Sequence, residues 1–126
     1  MNLFSDFTSR LRNSQKVKKD KFVSKKSKLI LSFTKALLKK GYIRGIEQND
    51  GFHFNILLKY NQPGVPVIRT IKLVSKSGCR VYMTKKELAQ HISSPFDIFL
   101  TTNKGILTHL EAIKLNVGGE VLCIIN

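Results

Sequence analysis

The sequence predicts an α/β protein of the mixed α+β kind, in which short mixed sheets are interleaved with about four short helices. Three observations predict it. Apolar residues spaced three and four apart before Gly41 give way to spacing of two beyond Tyr42; two helix-capping signatures stand in the second half; and a Pro/Gly run interrupts the chain near its middle. A chain of 126 residues makes one compact domain or two small lobes sharing an interface, with enough buried surface to fold without disulfide or metal staples. The expected boundary, Gln62-Pro63-Gly64-Val65-Pro66, separates an N-terminal part, 1–63, from a C-terminal part, 64–126.

Taken in order, Ser5 or Asp6 is placed to cap a first helix whose Phe4, Phe7 and Leu11 form a stripe, leaving Arg10, Arg12 and Asn13 on other faces. Lys16 to Lys28 holds seven lysines and one aspartate and reads as solvated surface. Ser27 caps a second helix with Leu29, Ile30, Phe33, Ala36 and Leu37 on one side, stopped by Gly41. Asn49-Asp50-Gly51 is a hairpin turn, and behind it Phe52, Phe54, Ile56, Leu58 and Tyr60 alternate with more polar neighbours as a half-buried strand requires. Val67 to Val74 is the next expected strand, followed by a tight basic turn, Ser75 to Gly78, into Arg80-Val81-Tyr82. Thr84 with Glu87, and Thr108 with Glu111, are capping boxes for two further helices, the first running through Leu88 and Ile92. Between them lie a buried strand, Ile98 to Leu100, and a polar loop, Thr101 to Gly105. Gly118-Gly119-Glu120 leads into a last strand, Val121 to Ile125.

Charge narrows the function classes. With 22 Lys and Arg against 8 Asp and Glu the net charge is +14, and residues 1–41 carry +10 of it. A polyanion relieves that self-repulsion, and neutralising its phosphates releases counterions. Nucleic acid is favoured over a membrane surface, because no helix pairs a basic face with a broad apolar one. No apolar run reaches the roughly 18 residues of a spanning helix, and Asn2-Leu3-Phe4-Ser5-Asp6 resembles neither a signal nor a transit peptide. Cys79 and Cys123 lack a CxxC pairing and read as two buried thiols. Phe, Ile, Asn and Lys supply 45 residues against 19 for Gly, Ala, Arg and Pro, a bias of AT-rich coding such as organellar genomes often have.

These residues, taken in order, resemble small-subunit ribosomal protein eight, of the bacterial and organellar type, along nearly the whole chain. The resemblance is carried by Asp6 with Arg10-Leu11-Arg12-Asn13, Ser27-Lys28-Leu29, Gly41-Tyr42-Ile43, Leu58-Lys59-Tyr60, Val74-Ser75-Lys76 with Gly78, Arg80 and Tyr82, and then Thr102, Lys104, Gly105, Thr108, Ala112, Gly118-Gly119-Glu120 and Cys123. It implies two intimately packed α/β lobes. It also implies a non-enzymatic constituent of the small ribosomal subunit that binds the central domain of small-subunit rRNA, lies beside other small-subunit proteins and supports assembly and translation. No cofactor, small-molecule substrate, membrane or homo-oligomer is expected. The composition points to a mitochondrial ribosome, with plastid or bacterial cytoplasm as alternatives. This chain departs from the family's usual pattern at Thr101 and Asn103, where serine is common, and at Ser77, where proline is.

The expected RNA-binding residues are Arg10, Arg12, Asn13, Lys28, Lys59, Lys76, Arg80, Tyr82, Thr101, Thr102, Asn103, Lys104, Gly105, Gly118, Gly119 and Glu120. Short hydroxyl and amide side chains beside a glycine let backbone N–H groups approach bases and sugars. Lys104 offers a phosphate contact, and Glu120 an acceptor for a base edge or ribose hydroxyl. Gly118 and Gly119 read first as turn geometry. Two other classes compete: a messenger-RNA-binding regulator, and, more remotely, a small metal-dependent enzyme built on Glu87, His91, His109 and Glu111. Neither a HExxH motif, a P-loop nor a nucleophile elbow is present.

Overall fold

The computed structural model describes residues 3–61, 64–76 and 78–126. The start of the expected boundary, Gln62-Pro63, and the Ser77 position lie outside the described residues. The chain forms two compact units, Met1–Ile68 and Arg69–Asn126, and the α+β class expected from the sequence is what it adopts.

The first unit begins with α1 (Leu3–Lys16), which starts ahead of the expected caps Ser5 and Asp6; both lie inside the helix. Its stripe works as spacing predicts. Phe7 and Leu11 are buried, and Phe7 meets Phe22 and Phe33 at ring distances of 5.6 and 6.0 Å. Each such burial contributes about 1.5–3 kcal/mol. The lysine run is not uniformly solvated surface, because it contains β1 (Lys21–Lys25), where Phe22 and Ser24 point inward while Lys21, Val23 and Lys25 stay outside. α2 (Lys28–Lys39) starts at the Ser27 cap, whose side chain accepts from Ile30 N–H, and ends ahead of Gly41 at φ +81°. Leu29, assigned to its apolar side, is 40% exposed; Ile30, Phe33 and Leu37 hold that side.

The alternating strand expected over Phe52 to Tyr60 is β3 (His53–Leu57), which the Asn49-Asp50-Gly51 turn joins to β2 (Gly45–Gln48); its end at Tyr60 falls instead in a short ribbon of β4 (Tyr60–Asn61) and β5 (Val65–Pro66). The first three strands make an antiparallel sheet in the order β1-β3-β2. Asp50 closes the β2–β3 turn by accepting the N–H groups of Phe52 and His53, at 2.7 and 2.8 Å. Phe52, expected on the buried face, therefore sits in the turn, 77% exposed, and the buried face belongs to Phe54 and Ile56.

The second unit is a five-stranded antiparallel sheet, β6 (Ile71–Leu73), β7 (Tyr82–Met83), β8 (Asp97–Thr102), β9 (Gly105–Thr108) and β10 (Gly119–Ile125), with α3 (Lys85–Ala89) and α4 (His109–Lys114). The strand order is β6-β10-β8-β9, and β7 also pairs with β10. Leu88, Ile98, Leu100, Ala112 and Val121 form the core joining the helices to one sheet face. Both capping boxes form as read, Thr84 with Glu87 and Thr108 with Glu111. The strand expected over Val67 to Val74 shrinks to Ile71–Leu73, and the helix expected through Ile92 ends at Ala89. Cys123 is buried as expected, but Cys79 is exposed.

Candidate nucleic-acid interface

The polar segment Thr101 to Gly105 is not a free loop. Thr101 and Thr102 complete β8, Gly105 opens β9, and only Asn103 and Lys104 stand between the paired residues Thr102 and Gly105. The turn is locked from inside: the Thr102 hydroxyl accepts from Lys104 N–H at 3.0 Å and donates to Gly105 C=O at 2.9 Å. Gly105 takes φ +101°, the left-handed position at which a side chain is strained, and the space where a Cβ would stand is open. Asn103, Lys104 and Gly105 are exposed. The result is a rigid polar tip with a bare stretch of backbone.

Sheet pairing brings other expected residues to the same end. Glu120 lies opposite Thr101 on one side and Tyr82 on the other, while Thr101 lies opposite Ile106. Directly paired residues share a sheet face, so Tyr82, Glu120, Thr101 and Ile106 form a row on the face away from core residues Leu100 and Val121. Tyr82 is 66% exposed and presents its ring to solvent. Arg80 Nη1 reaches Glu120 Oε2 at 3.0 Å. Ser75 fixes the backbone between them, its hydroxyl accepting from Val81 N–H at 2.9 Å; no sequence signal marked that role.

Gly118 and Gly119 are not turn glycines, since neither has a left-handed φ. Space demands them. A Cβ on Gly118 would lie 2.5 Å from the Met83 carbonyl oxygen, and one on Gly119 would run into the carbonyl of Thr101. The two glycines let β10 enter between β7 and β8, which sets Glu120 beside Arg80 and Thr101. Lys76 lies in the adjoining turn, where it exchanges backbone hydrogen bonds with Cys79 at 2.9 and 3.0 Å.

Arg10, Arg12, Asn13, Lys28 and Lys59 belong to the other unit. Arg10, Arg12 and Asn13 are exposed on α1, with Arg10 paired to Asp6 at 3.1 Å. Lys28 opens α2, and Lys59 donates to Gly41 C=O at 3.2 Å.

The acids are occupied by the fold. Asp6, Asp20, Glu47 and Glu120 each face a cation, and Glu87 and Glu111 cap helices. Hydrogen bonds from Asn55 and Lys21 hold the Glu47 carboxyl below its ordinary pKa, and those from the Thr84 backbone and side chain do the same for Glu87. Of the residues named for a metal site, His109 is instead a buried structural group. Its Nδ1 accepts from Ile98 N–H at 3.2 Å, and Nε2 stands 3.1 Å from the His91 carbonyl. Among the described residues no three His, Cys, Asp or Glu side chains come together as metal ligands.

Comparison with known proteins identifies the family. The family described as ribosomal protein S8 matches residues 2–126. The small ribosomal subunit protein uS8 of Campylobacter hominis is 37% identical over 125 residues, spanning 97% of this chain and 95% of the relative. Its counterpart in Thioalkalivibrio sulfidiphilus is 42% identical over 124 residues, with coverage of 96% and 94%. That of Crocosphaera subtropica is 38% identical over 126 residues, with coverage of 97% and 95%. Matches over nearly the entire length, to the family and to relatives alike, leave one conclusion: the chain belongs to the ribosomal protein S8 family.

Proposed function

We propose that this chain binds the central domain of small-subunit rRNA, with sequence discrimination at Thr101 to Gly105, Gly118 to Glu120, Arg80 and Tyr82, and thereby supports assembly of the subunit. Its family membership makes it a structural, non-enzymatic ribosomal protein of the small subunit, acting in translation. The observation that carries the proposal is the convergence on one sheet end of an exposed aromatic ring, a guanidinium held by a carboxylate, and a hairpin tip with open backbone. Stacking, phosphate or base-edge contact and close backbone approach are the means by which proteins read irregular RNA. Arg10, Arg12 and Asn13 on α1, with Lys28, Lys59 and Lys76, supply further contacts to the backbone, and neighbouring small-subunit proteins are its other partners.

The relatives are bacterial, which supports a bacterial cytoplasmic ribosome; the AT-biased composition supports a mitochondrial one, and the location of the gene decides between them. Chemical footprinting of small-subunit rRNA with the full chain tests the RNA assignment. Protection within the central domain is the expected outcome, and protection confined to other domains would overturn it. Sedimentation with the small subunit, as opposed to free ribonucleoprotein, separates this role from that of a messenger-RNA regulator.

A further inference from the structure

A pocket of about 80 Å³ opens between the first turns of α1 and the end of β1, lined by Leu3, Asp6, Phe7, Arg10, Ser24 and Lys25. We propose that it seats one ribose–phosphate unit of RNA, the phosphate on Arg10 and Lys25 and the ribose 2′-hydroxyl on Asp6. The proposal rests on the RNA-binding reading above and adds to it an interaction that distinguishes RNA from DNA.

The lining has the required chemistry. Arg10 engages Asp6 through Nε, at 3.1 Å to Oδ2. A guanidinium also carries two terminal amino groups, which it can offer to phosphate as a planar fork. Lys25 faces outward from β1 and adds a second cation. The pocket's walls are a buried ring, Phe7, and the Leu3 side chain, and Ser24, 7% exposed, puts a hydroxyl among them. The pocket has room for a phosphate with the edge of its sugar.

Asp6 decides what kind of strand fits. A carboxylate beside a phosphate site repels any nucleic acid unless the strand brings a donor to it, and a 2′-hydroxyl is such a donor, which DNA lacks. The Asp6–Arg10 pair, with side chains 60% and 58% exposed, is an ordinary helix i,i+4 pair that contributes little to stability. The two groups are thus available to a ligand and can be replaced without unfolding α1.

The test is a titration of the full ¹⁵N-labelled chain with tetra-uridylate and with its 2′-deoxy counterpart at one fixed salt concentration. Amide shifts at Asp6, Arg10, Ser24 and Lys25 should saturate with the ribo-oligomer, and the deoxy-oligomer should bind there roughly tenfold more weakly, the scale of one missing hydrogen bond to a charged group. Asp6→Asn should shrink that ratio, while Arg10→Lys and Lys25→Gln should weaken both oligomers alike. Equal binding of the two sugars, whatever stands at position 6, would overturn the assignment. Shifts confined to Tyr82 and residues 101–105 would overturn the pocket and leave the general RNA-binding reading intact. No shift anywhere, with no binding to small-subunit rRNA, would overturn both.

Discussion

Arg80 Nη1 stands 3.0 Å from Glu120 Oε2, joining β10 to the segment that leads into β7, and of the two side chains the acid is the sheltered one, 18% exposed against 60%. An acid at the sheet end proposed to bind RNA, in a chain of net charge +14, is unfavourable there on electrostatics alone. It is explained if Glu120 either accepts a hydrogen bond from RNA or aims the Arg80 fork. Glu120→Ala should therefore weaken cognate RNA binding by about 1–3 kcal/mol, although it raises the net charge by one. If Glu120 acts by aiming Arg80, the Arg80→Ala, Glu120→Ala double variant should lose no more than Arg80→Ala alone. Isotherms with cognate and scrambled hairpins decide it, and cognate binding that stays equal or tightens on Glu120→Ala would refute the assignment.

Two glycines near each other in the sheet should fail in different ways. Gly119 has no room for a methyl, because the Thr101 carbonyl occupies the place. Gly119→Ala should lower stability by about 1–3 kcal/mol, the cost of overpacking, visible as a fall in the urea midpoint. Gly105 has open space and φ +101°. Asparagine tolerates left-handed backbone better than other side chains, so Gly105→Asn, strained at that φ but free of any clash, should cost less stability than Gly119→Ala while weakening cognate binding, since its amide covers the exposed backbone. A stability loss at Gly105→Asn matching that of Gly119→Ala would mean that Gly105 serves the fold alone.

What is legible in the sequence is whatever the chain states locally. Ser27, Thr84 and Thr108 announce their helices because a cap and its N–H partner lie three residues apart. The Phe7, Leu11 stripe likewise carries its own period. β1 is hidden, because only Phe22 and Ser24 turn inward and the lysines at both ends supply no apolar rhythm. β9 is hidden in a different way: four residues, one of them glycine, are strand only because Phe99, Leu100, Thr101 and Thr102 lie opposite them. Residues 101–105 read from sequence as a loop, and their hairpin form depends on a Thr102 hydroxyl whose partners no spacing rule reveals. Gly118 and Gly119 read as turn glycines because crowding from Met83 and Thr101 arises only when distant strands meet.

The two cysteines should react unequally. Burial pushes the Cys123 thiol far above its ordinary pKa, whereas Cys79 is exposed in the basic turn. The thiolate is the reactive form. Under native conditions iodoacetamide should add once per chain, at Cys79, and a second time only after denaturation, as read by intact mass. Rapid native labelling of Cys123 would show that the second unit opens around β10.

Electrostatics should divide between reading sequence and supplying bulk affinity. Lys18, Lys19, Lys25 and Lys26 hold exposed side chains, while their backbones serve the fold through bonds an alanine keeps: the Lys19 carbonyl accepts from the Tyr60 hydroxyl at 2.6 Å, and Lys26 N–H donates to the Phe52 carbonyl at 2.8 Å. Replacing all four with alanine therefore removes charge with little structural cost. Binding to cognate and unrelated RNA should fall about equally, because ion pairing with phosphate carries no sequence information. The slope of log K against log salt should flatten by about 0.7 to 0.9 for each phosphate no longer neutralised. Lys21 provides the control, because it is already paired with Glu47 at 3.2 Å and its replacement should flatten the slope less than that of any one of the four. Measured between about 50 and 200 mM salt, a range over which phosphate neutralisation changes affinity steeply, a loss selective for the cognate RNA would show that this basic run reads sequence, and would move discrimination out of the second unit.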